Sequence, residues 1–130
     1  MIFRTFAEGG PMMYLILLLA VVGLVTALIG FAAHDRRAQA VCGGATLVLG
    51  ILCGIAGALG YWWGMSRMEA ALVHVEPSVR EQLLAVGTHE ASHNWKFGGA
   101  AGVLLVICGV IVTARARAAE GRDPALPPQA

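Results

Sequence analysis

Three long stretches without a formal charge dominate this sequence. They cover residues 9–34, 38–66 and 97–114, and the last is the shortest. A helix that crosses a bilayer needs about 20 mainly apolar residues, so each stretch can span, the third only just. Lipid offers no partners for backbone groups and three segments cannot close a barrel, so each span must be helical. We therefore predict an all-α integral membrane protein. Its three transmembrane helices are expected at about 12–33, 41–65 and 97–115.

The composition agrees with a membrane protein and excludes several other classes. Of 130 residues, 58% are hydrophobic and 13% are charged, and the mean hydropathy is +0.72. The net charge is +1, and the nine Lys and Arg are scattered, so no basic stripe for nucleic acid exists. The three cysteines show no CxxC spacing. We expect one membrane domain, residues 12–119, that is surrounded by lipid, binds no cofactor or metal and is not an enzyme.

Basic residues next to the spans favour one orientation. One side would carry Arg36, Arg37, Arg115, Arg117 and Arg122. The other side would carry Arg4, Arg67, Arg80 and Lys96. The compact pair in the first connection predicts a cytoplasmic C-terminus and an N-terminus on the opposite side. Residues 1–11 lead into a long apolar run without a small-residue cleavage site, so we expect a retained helix rather than a signal peptide.

The connection at residues 66–95 is the only sizeable polar segment. Apolar side chains recur there at helical spacing: Met65, Met68, Ala71, Leu72 and Val75. This periodicity predicts that the second span continues as a short amphipathic helix outside the membrane. Pro77 would break or restart it, Gly87 would end the next short helix, and Thr88 would cap the third span. The Pro-containing tail, residues 120–130, is expected to be disordered.

Glycines repeat along one face of the second span. Gly43, Gly50, Gly57 and Gly64 are seven residues apart, and Gly54 and Gly60 widen the face. The third span contains Gly98, Gly102 and Gly109. Small residues let helix backbones approach closely in lipid, so this face should contact protein. Two interpretations stay open: packing among the three helices of one chain, or assembly of a homo-oligomer.

A histidine pair offers one possible chemistry. His89, Glu90 and His93 match the HExxH pattern, in which two His one turn apart hold zinc and the Glu activates water. A zinc site needs a third ligand, and nothing in the sequence fixes His74 or Glu76 in that role. We favour the interpretation in which the two His lie at the membrane interface, and keep a zinc-dependent membrane hydrolase as the alternative.

Aromatic and acidic residues mark the membrane boundary. Tyr61, Trp62 and Trp63 stand where the second span should leave the lipid, as in an interfacial aromatic belt. Glu90 lies one or two turns before the third span, where a carboxylate drawn into lipid would be costly. It should therefore reach water or face a cavity lined by protein.

Three segments, at residues 6–14, 57–65 and 87–91, together resemble the MotA/TolQ/ExbB family of proton-channel, or stator, subunits. Residues 6–14 (FAEGGPMMY) are similar to the family's entry into its first membrane helix. Residues 57–65 (GALGYWWGM) resemble its second-helix segment G-L-L-G-T-V-x-G-M. Residues 87–91 (GTHEA), with Gly98 eleven residues after Gly87, resemble its G-I-x-E-A entry into the third helix. The segments occur in the family's order, each at an expected membrane boundary.

This resemblance implies a partner, an assembly and a location. The family forms pentamers whose second and third helices line a pore around the membrane helix of a single-span partner. It resides in the bacterial inner membrane, with a periplasmic N-terminus and a cytoplasmic C-terminus. The resemblance makes Glu90 the candidate proton carrier, whereas Tyr61 and Trp95 occupy the positions of the family's two pore threonines. The family's long cytoplasmic insertion is reduced here to about residues 34–40.

The expected function follows from the differences between this sequence and the family pattern. Bulky aromatics at two pore positions remove water-sized space and hydrogen-bonding groups, and a short loop removes a partner-binding region. We predict a non-enzymatic membrane subunit that is either a reduced ion-driven energy transducer or a non-conducting helical scaffold. A small structural membrane protein of unrelated function is the alternative.

Overall fold

The protein consists of three long helices. A computed structural model describes residues 10–120, and its helices are α1 (Gly10–Ala32), α2 (Arg36–Leu72) and α3 (Pro77–Glu120). Each is long and apolar enough to cross a membrane, and the described range contains no strand. The predicted all-α fold with three candidate transmembrane helices is therefore confirmed. Most of the predicted N-terminal segment, and all of the predicted disordered tail except residue 120, lie outside the described residues.

α1 begins two residues earlier than the sequence suggested. Gly10 has a φ of 67°, a left-handed conformation that a side chain would strain, and Pro11 follows it. Proline suits the first turn of a helix because its fixed φ is already helical and its missing N–H would have no intrahelical partner. The Gly-Pro pair therefore starts the helix.

The connection between α1 and α2 is a tight turn of three residues, 33–35. Asp35 is the N-cap of α2, and its side chain accepts a hydrogen bond of 3.3 Å from the Arg37 backbone N–H. Gln39 Nε2 donates to the Ala33 carbonyl at 2.7 Å, which satisfies an acceptor at the end of α1. These caps start α2 at Arg36, so the helix begins within the predicted connection at residues 34–40.

The second connection confirms Pro77 as a helix start and contradicts two other predictions. α2 continues to Leu72, and α3 runs without interruption from Pro77 through Gly87 and Thr88. Thr88 caps nothing, because its Oγ1 donates to the Leu84 carbonyl within the same helix at 2.7 Å. Gly87 does not end a helix either, because α3 continues through it. A Cβ at Gly87 would overlap the sulfur of Met68, so this glycine lets the two helices approach.

α1 packs along one side of the α2–α3 pair. Ile16 is fully buried with Cys53, whose thiol lies 3.8 Å from the Ile16 carbonyl oxygen. Further along, Gly23 receives the side chain of Leu105, and Gly30 receives Val112. Most large apolar side chains on the other faces are exposed, as expected for surfaces that contact lipid.

The helices differ greatly in length, so two of them extend past the third. At 1.5 Å per residue, α1 is about 34 Å long, α2 about 55 Å and α3 about 66 Å, compared with about 30 Å of bilayer hydrocarbon. Gly60 of α2 packs beside Met12, which is close to the start of α1. Residues 61–93 therefore form a helical hairpin beyond α1, which we call the hairpin arm.

Candidate functional site

The glycine rows of α2 and α3 face each other within one chain. A Cβ built on Gly98 would lie 2.7 Å from Gly57 Cα, and one built on Gly102 would lie 2.8 Å from the Gly50 carbonyl oxygen. Such distances allow no side chain, so the two backbones touch. We call this contact the glycine seam. Its members are Gly43, Gly50, Gly57, Gly98, Gly102 and Gly109.

Two further glycines extend the seam toward the hairpin arm. A Cβ on Gly60 would lie 3.3 Å from Asn94 and Met12, and one on Gly64 would lie 3.3 Å from Ala91 Cβ. Of the two interpretations of the glycine row, the geometry is that of packing within one chain. The seam is therefore not available as the surface on which copies of the chain assemble, and a homo-oligomer would need another face.

Glu90 lines a cavity between the start of α1 and the part of the hairpin arm that is nearest to α1. The cavity has a volume of about 590 Å³, and Glu90 is half-buried. Its walls come from the start of α1, the middle of α2 and the first half of α3. The lining residues are Gly10, Pro11, Met12, Leu15, Gly60, Trp63, Gly64, Arg67, Met68, Gly87, Glu90, Ala91 and Asn94. Of the two expected environments for Glu90, the structure therefore has the cavity lined by protein.

The two charged residues that are described in the lining of this cavity lie toward its arm end. Arg67 is seven residues beyond Gly60 on α2, which corresponds to about 10 Å along the axis. Glu90 is four residues before Asn94 on the antiparallel α3, about 6 Å in the same direction. Both charges therefore lie at the arm end. Leu15 lies at the opposite, membrane end.

Tyr61 and Trp95 lie on the other side of the seam from Glu90. Residues of an α-helix follow one another at about 100°, which places Tyr61 on the flank of Gly57 away from α1. The same geometry places Trp95 on the flank of α3 away from α1, and its side chain is 56% exposed. Neither aromatic lines the cavity. The three predicted pore candidates therefore do not converge on one space within the chain.

The threonine hydroxyls in the spans donate to carbonyls of their own helices. Thr26, Thr46 and Thr113 each donate to a carbonyl four residues earlier at 2.8 Å. Thr46 is completely buried, so its hydrogen bond also satisfies a polar group that would otherwise be costly in the interior. These hydroxyls stabilise the helices and offer no chain of donors along the bundle.

The two histidines of the HExxH pattern are neighbours on α3. The ring centroids of His89 and His93 are 5.0 Å apart in an edge-to-face arrangement, as expected one turn apart on a helix. Within residues 10–120, no group of three His, Cys, Asp or Glu side chains is placed to hold a metal ion. In that range neither His74 nor Glu76 supplies the third ligand of the zinc alternative.

Sequence reasoning missed Arg67 and Asn94 as members of the cavity. Asn94 follows Glu90 by four residues and is 5% exposed, so the two polar side chains share one helix face. Arg67 follows Gly60 by seven residues, the same interval as the glycine repeat. Both intervals were visible in the sequence. Neither interval showed that the start of α1 would form the third wall of the cavity.

Comparisons with protein-family models, with curated proteins and with solved structures give no match to this chain. The resemblance to the stator family stays a prediction.

Proposed function

We propose that the chain is a non-enzymatic membrane subunit that acts as a non-conducting helical scaffold, similar to a reduced MotA/TolQ/ExbB protein. The observation that carries this proposal is the position of the glycine seam. It separates Glu90 from Tyr61 and Trp95, so the acidic group and the two positions corresponding to the family's pore threonines open to different sides. A scaffold needs the helix geometry but no shared polar path.

The packing of the seam supports this choice over conduction through the chain. Proton transfer needs a continuous series of water or hydrogen-bonding groups. Along the seam, backbone meets backbone at Gly50 and Gly102 and again at Gly57 and Gly98, which leaves no room for water. The threonine hydroxyls in the spans already donate hydrogen bonds to backbone carbonyls of their own helices.

The charge distribution supports an inner-membrane orientation with a cytoplasmic C-terminus. Arg36 and Arg37 begin α2, and Arg115 and Arg117 lie near the end of α3, so four arginines gather at the end opposite the hairpin arm. The Arg115 guanidinium carbon lies 5.9 Å from the Phe31 ring centre, a cation–π distance. The positive-inside rule therefore favours a cytoplasmic location for this end, and a bacterial periplasm for the hairpin arm is what the family resemblance implies.

An apolar row on the hairpin arm supports assembly with other chains. Val79, Leu83 and Val86 lie on one face of α3 at helical spacing and are 42%, 44% and 57% exposed. Beyond the membrane such a row has no lipid to cover it, and exposed apolar patches of this kind mark protein contacts. A homo-oligomer, a pentamer by the family resemblance, would bury it, as would a single-span partner.

One observation favours a second candidate, an ion-driven energy transducer. Glu90 is half-buried in a cavity beside the buried amide of Asn94, and partly buried carboxylates are typical of proton-carrying sites. In this alternative the proton path would run between chains rather than through the seam.

Proton flux in liposomes separates the two candidates. The protein is purified from its own membranes so that any partner accompanies it, and is reconstituted with a pH-sensitive dye inside. For a scaffold we expect the same flux from the wild type, from Glu90→Gln and from the control Glu69→Gln, whose carboxylate is on the arm outside the cavity. Flux that Glu90→Gln abolishes and Glu69→Gln preserves would overturn the scaffold and favour the transducer.

A further inference from the structure

The cavity around Glu90 lies at the level of the bilayer surface. Its membrane end is formed by the first turns of α1, and Trp63, an interfacial residue type, is in its wall and 57% exposed. Leu15, one turn further into α1, is 44% exposed. With α1 as a membrane span, these residues put the cavity near the level where lipid headgroups meet their acyl chains.

Among the lining residues that the structure describes, one carries a positive charge and one a negative charge. Arg67 on α2 and Glu90 on α3 both line the arm end. Gly64 packs against Ala91, and from that contact Arg67 lies about 3 Å further along the helix axis toward the tip of the arm than Glu90 does. A guanidinium matches the oxygens of a phosphate, whereas a carboxylate accepts hydrogen bonds from an ammonium. A ligand that carries a phosphate and an ammonium close together complements both.

We propose that this cavity binds a phospholipid with a phosphoethanolamine headgroup. Arg67 would contact the phosphate and Glu90 the primary ammonium, while the upper part of an acyl chain would lie against Met12 and Leu15. The volume of about 590 Å³ falls within the range of about 300–1,000 Å³ that is usual for ligand pockets. This inference does not depend on the proposed function, since a scaffold and a transducer could both hold a lipid there.

The charges distinguish this headgroup from the other common ones. A phosphocholine has the same phosphate, but its quaternary ammonium has no N–H to donate to Glu90. A phosphoglycerol headgroup has no cation, and its net negative charge would face the Glu90 carboxylate. Both lipids would therefore satisfy Arg67 and leave Glu90 without a charged donor.

The test is lipid retention by the full chain. The protein is placed in nanodiscs that contain equal amounts of phosphatidylethanolamine, phosphatidylcholine and phosphatidylglycerol, and the lipids that remain bound are identified by native mass spectrometry. We expect phosphatidylethanolamine to exceed each of the others about tenfold, the effect of one charge-assisted hydrogen bond. Glu90→Gln should remove that excess, whereas Arg67→Gln should lower the retention of all three lipids, because each of them carries the phosphate.

Matched variants on the same arm serve as controls. Arg80→Gln and Glu69→Gln remove the same charges from positions outside this cavity and should keep the preference. Equal retention of the three lipids, or a preference that survives Glu90→Gln, would overturn the proposal, as would displacement of the lipid by water-soluble glycerophosphoethanolamine alone.

Discussion

Neighbouring glycines in α3 have opposite surroundings. A Cβ at Gly98 would meet Gly57 Cα at 2.7 Å and the Cys53 carbonyl oxygen at 3.0 Å, whereas a Cβ at Gly99 would meet nothing within 4 Å. The obstacles at Gly98 are backbone atoms, which no change of rotamer can move. A single methyl group must therefore push the helices apart at one position and be harmless at the next.

This contrast gives a prediction for stability. Gly98→Ala should lower the free energy of unfolding by about 1–3 kcal/mol, the usual cost of overpacking a core. Gly99→Ala should leave it unchanged or raise it slightly, because alanine favours helix more than glycine does. Unfolding in mixed micelles, followed by circular dichroism, measures both. Equal stability of the two variants would contradict the seam geometry.

At the same scale, the sequence predicted which residues pack but not what they pack against. The seven-residue glycine interval identified a face that needs protein contact. It could not distinguish a partner helix in the same chain from one in another copy, because close backbone approach needs the same small residues in both cases. For Glu90, the sequence left two environments open: water, or a cavity lined by protein. The cavity itself depends on where the start of α1 packs against α2 and α3, which no local pattern encodes.

The helices were predictable from hydropathy, whereas their ends depended on tertiary contacts. The apolar stretches predicted three spans because lipid exposure imposes the pattern directly. Gly87 was misread as a helix end because a mid-helix glycine and a terminal one look alike in sequence. Here the cost of glycine in a helix is offset by its contact with Met68. Pro77 was read correctly because its lack of an N–H acts locally.

The hairpin arm gives a prediction about accessibility at the scale of an element. In a variant without native cysteines, Glu69→Cys on the arm should react with a membrane-impermeant maleimide added to intact cells. Ile51→Cys, at a position that is 56% exposed in the isolated chain, should not react because lipid covers it.

The cytoplasmic end provides the control for orientation. Arg37→Cys should react only after the cells are permeabilised, since it lies at the end opposite the arm. Labelling of Arg37→Cys in intact cells, with Glu69→Cys protected, would reverse the proposed orientation.

For the whole molecule, the occupied seam moves any assembly surface to the outside of the bundle. Leu83 is 44% exposed in the middle of the apolar row on the arm. We predict that Leu83→Asp converts the protein to a monomer, because a buried carboxylate in an apolar contact is strongly unfavourable. The mass of the protein in detergent, measured by light scattering, reports the change.

The neighbouring residue provides a matched control. Gln82 is exposed beside Leu83, so Gln82→Asp adds the same charge on a different side of the helix and should leave the mass unchanged. If Leu83→Asp also leaves the mass of an oligomer unchanged, assembly does not use the apolar row.

The direct contact of two backbones also has a mechanical consequence. Because the backbones of α2 and α3 touch at their facing glycines, we expect the pair to tilt as one unit. Over the roughly 55 Å of α2, a lean of about 10° displaces the distal turn sideways by about 10 Å. Membrane helices change their lean when the surrounding bilayer becomes thicker or thinner. Anything attached to the distal turn is therefore carried along by a change in membrane thickness.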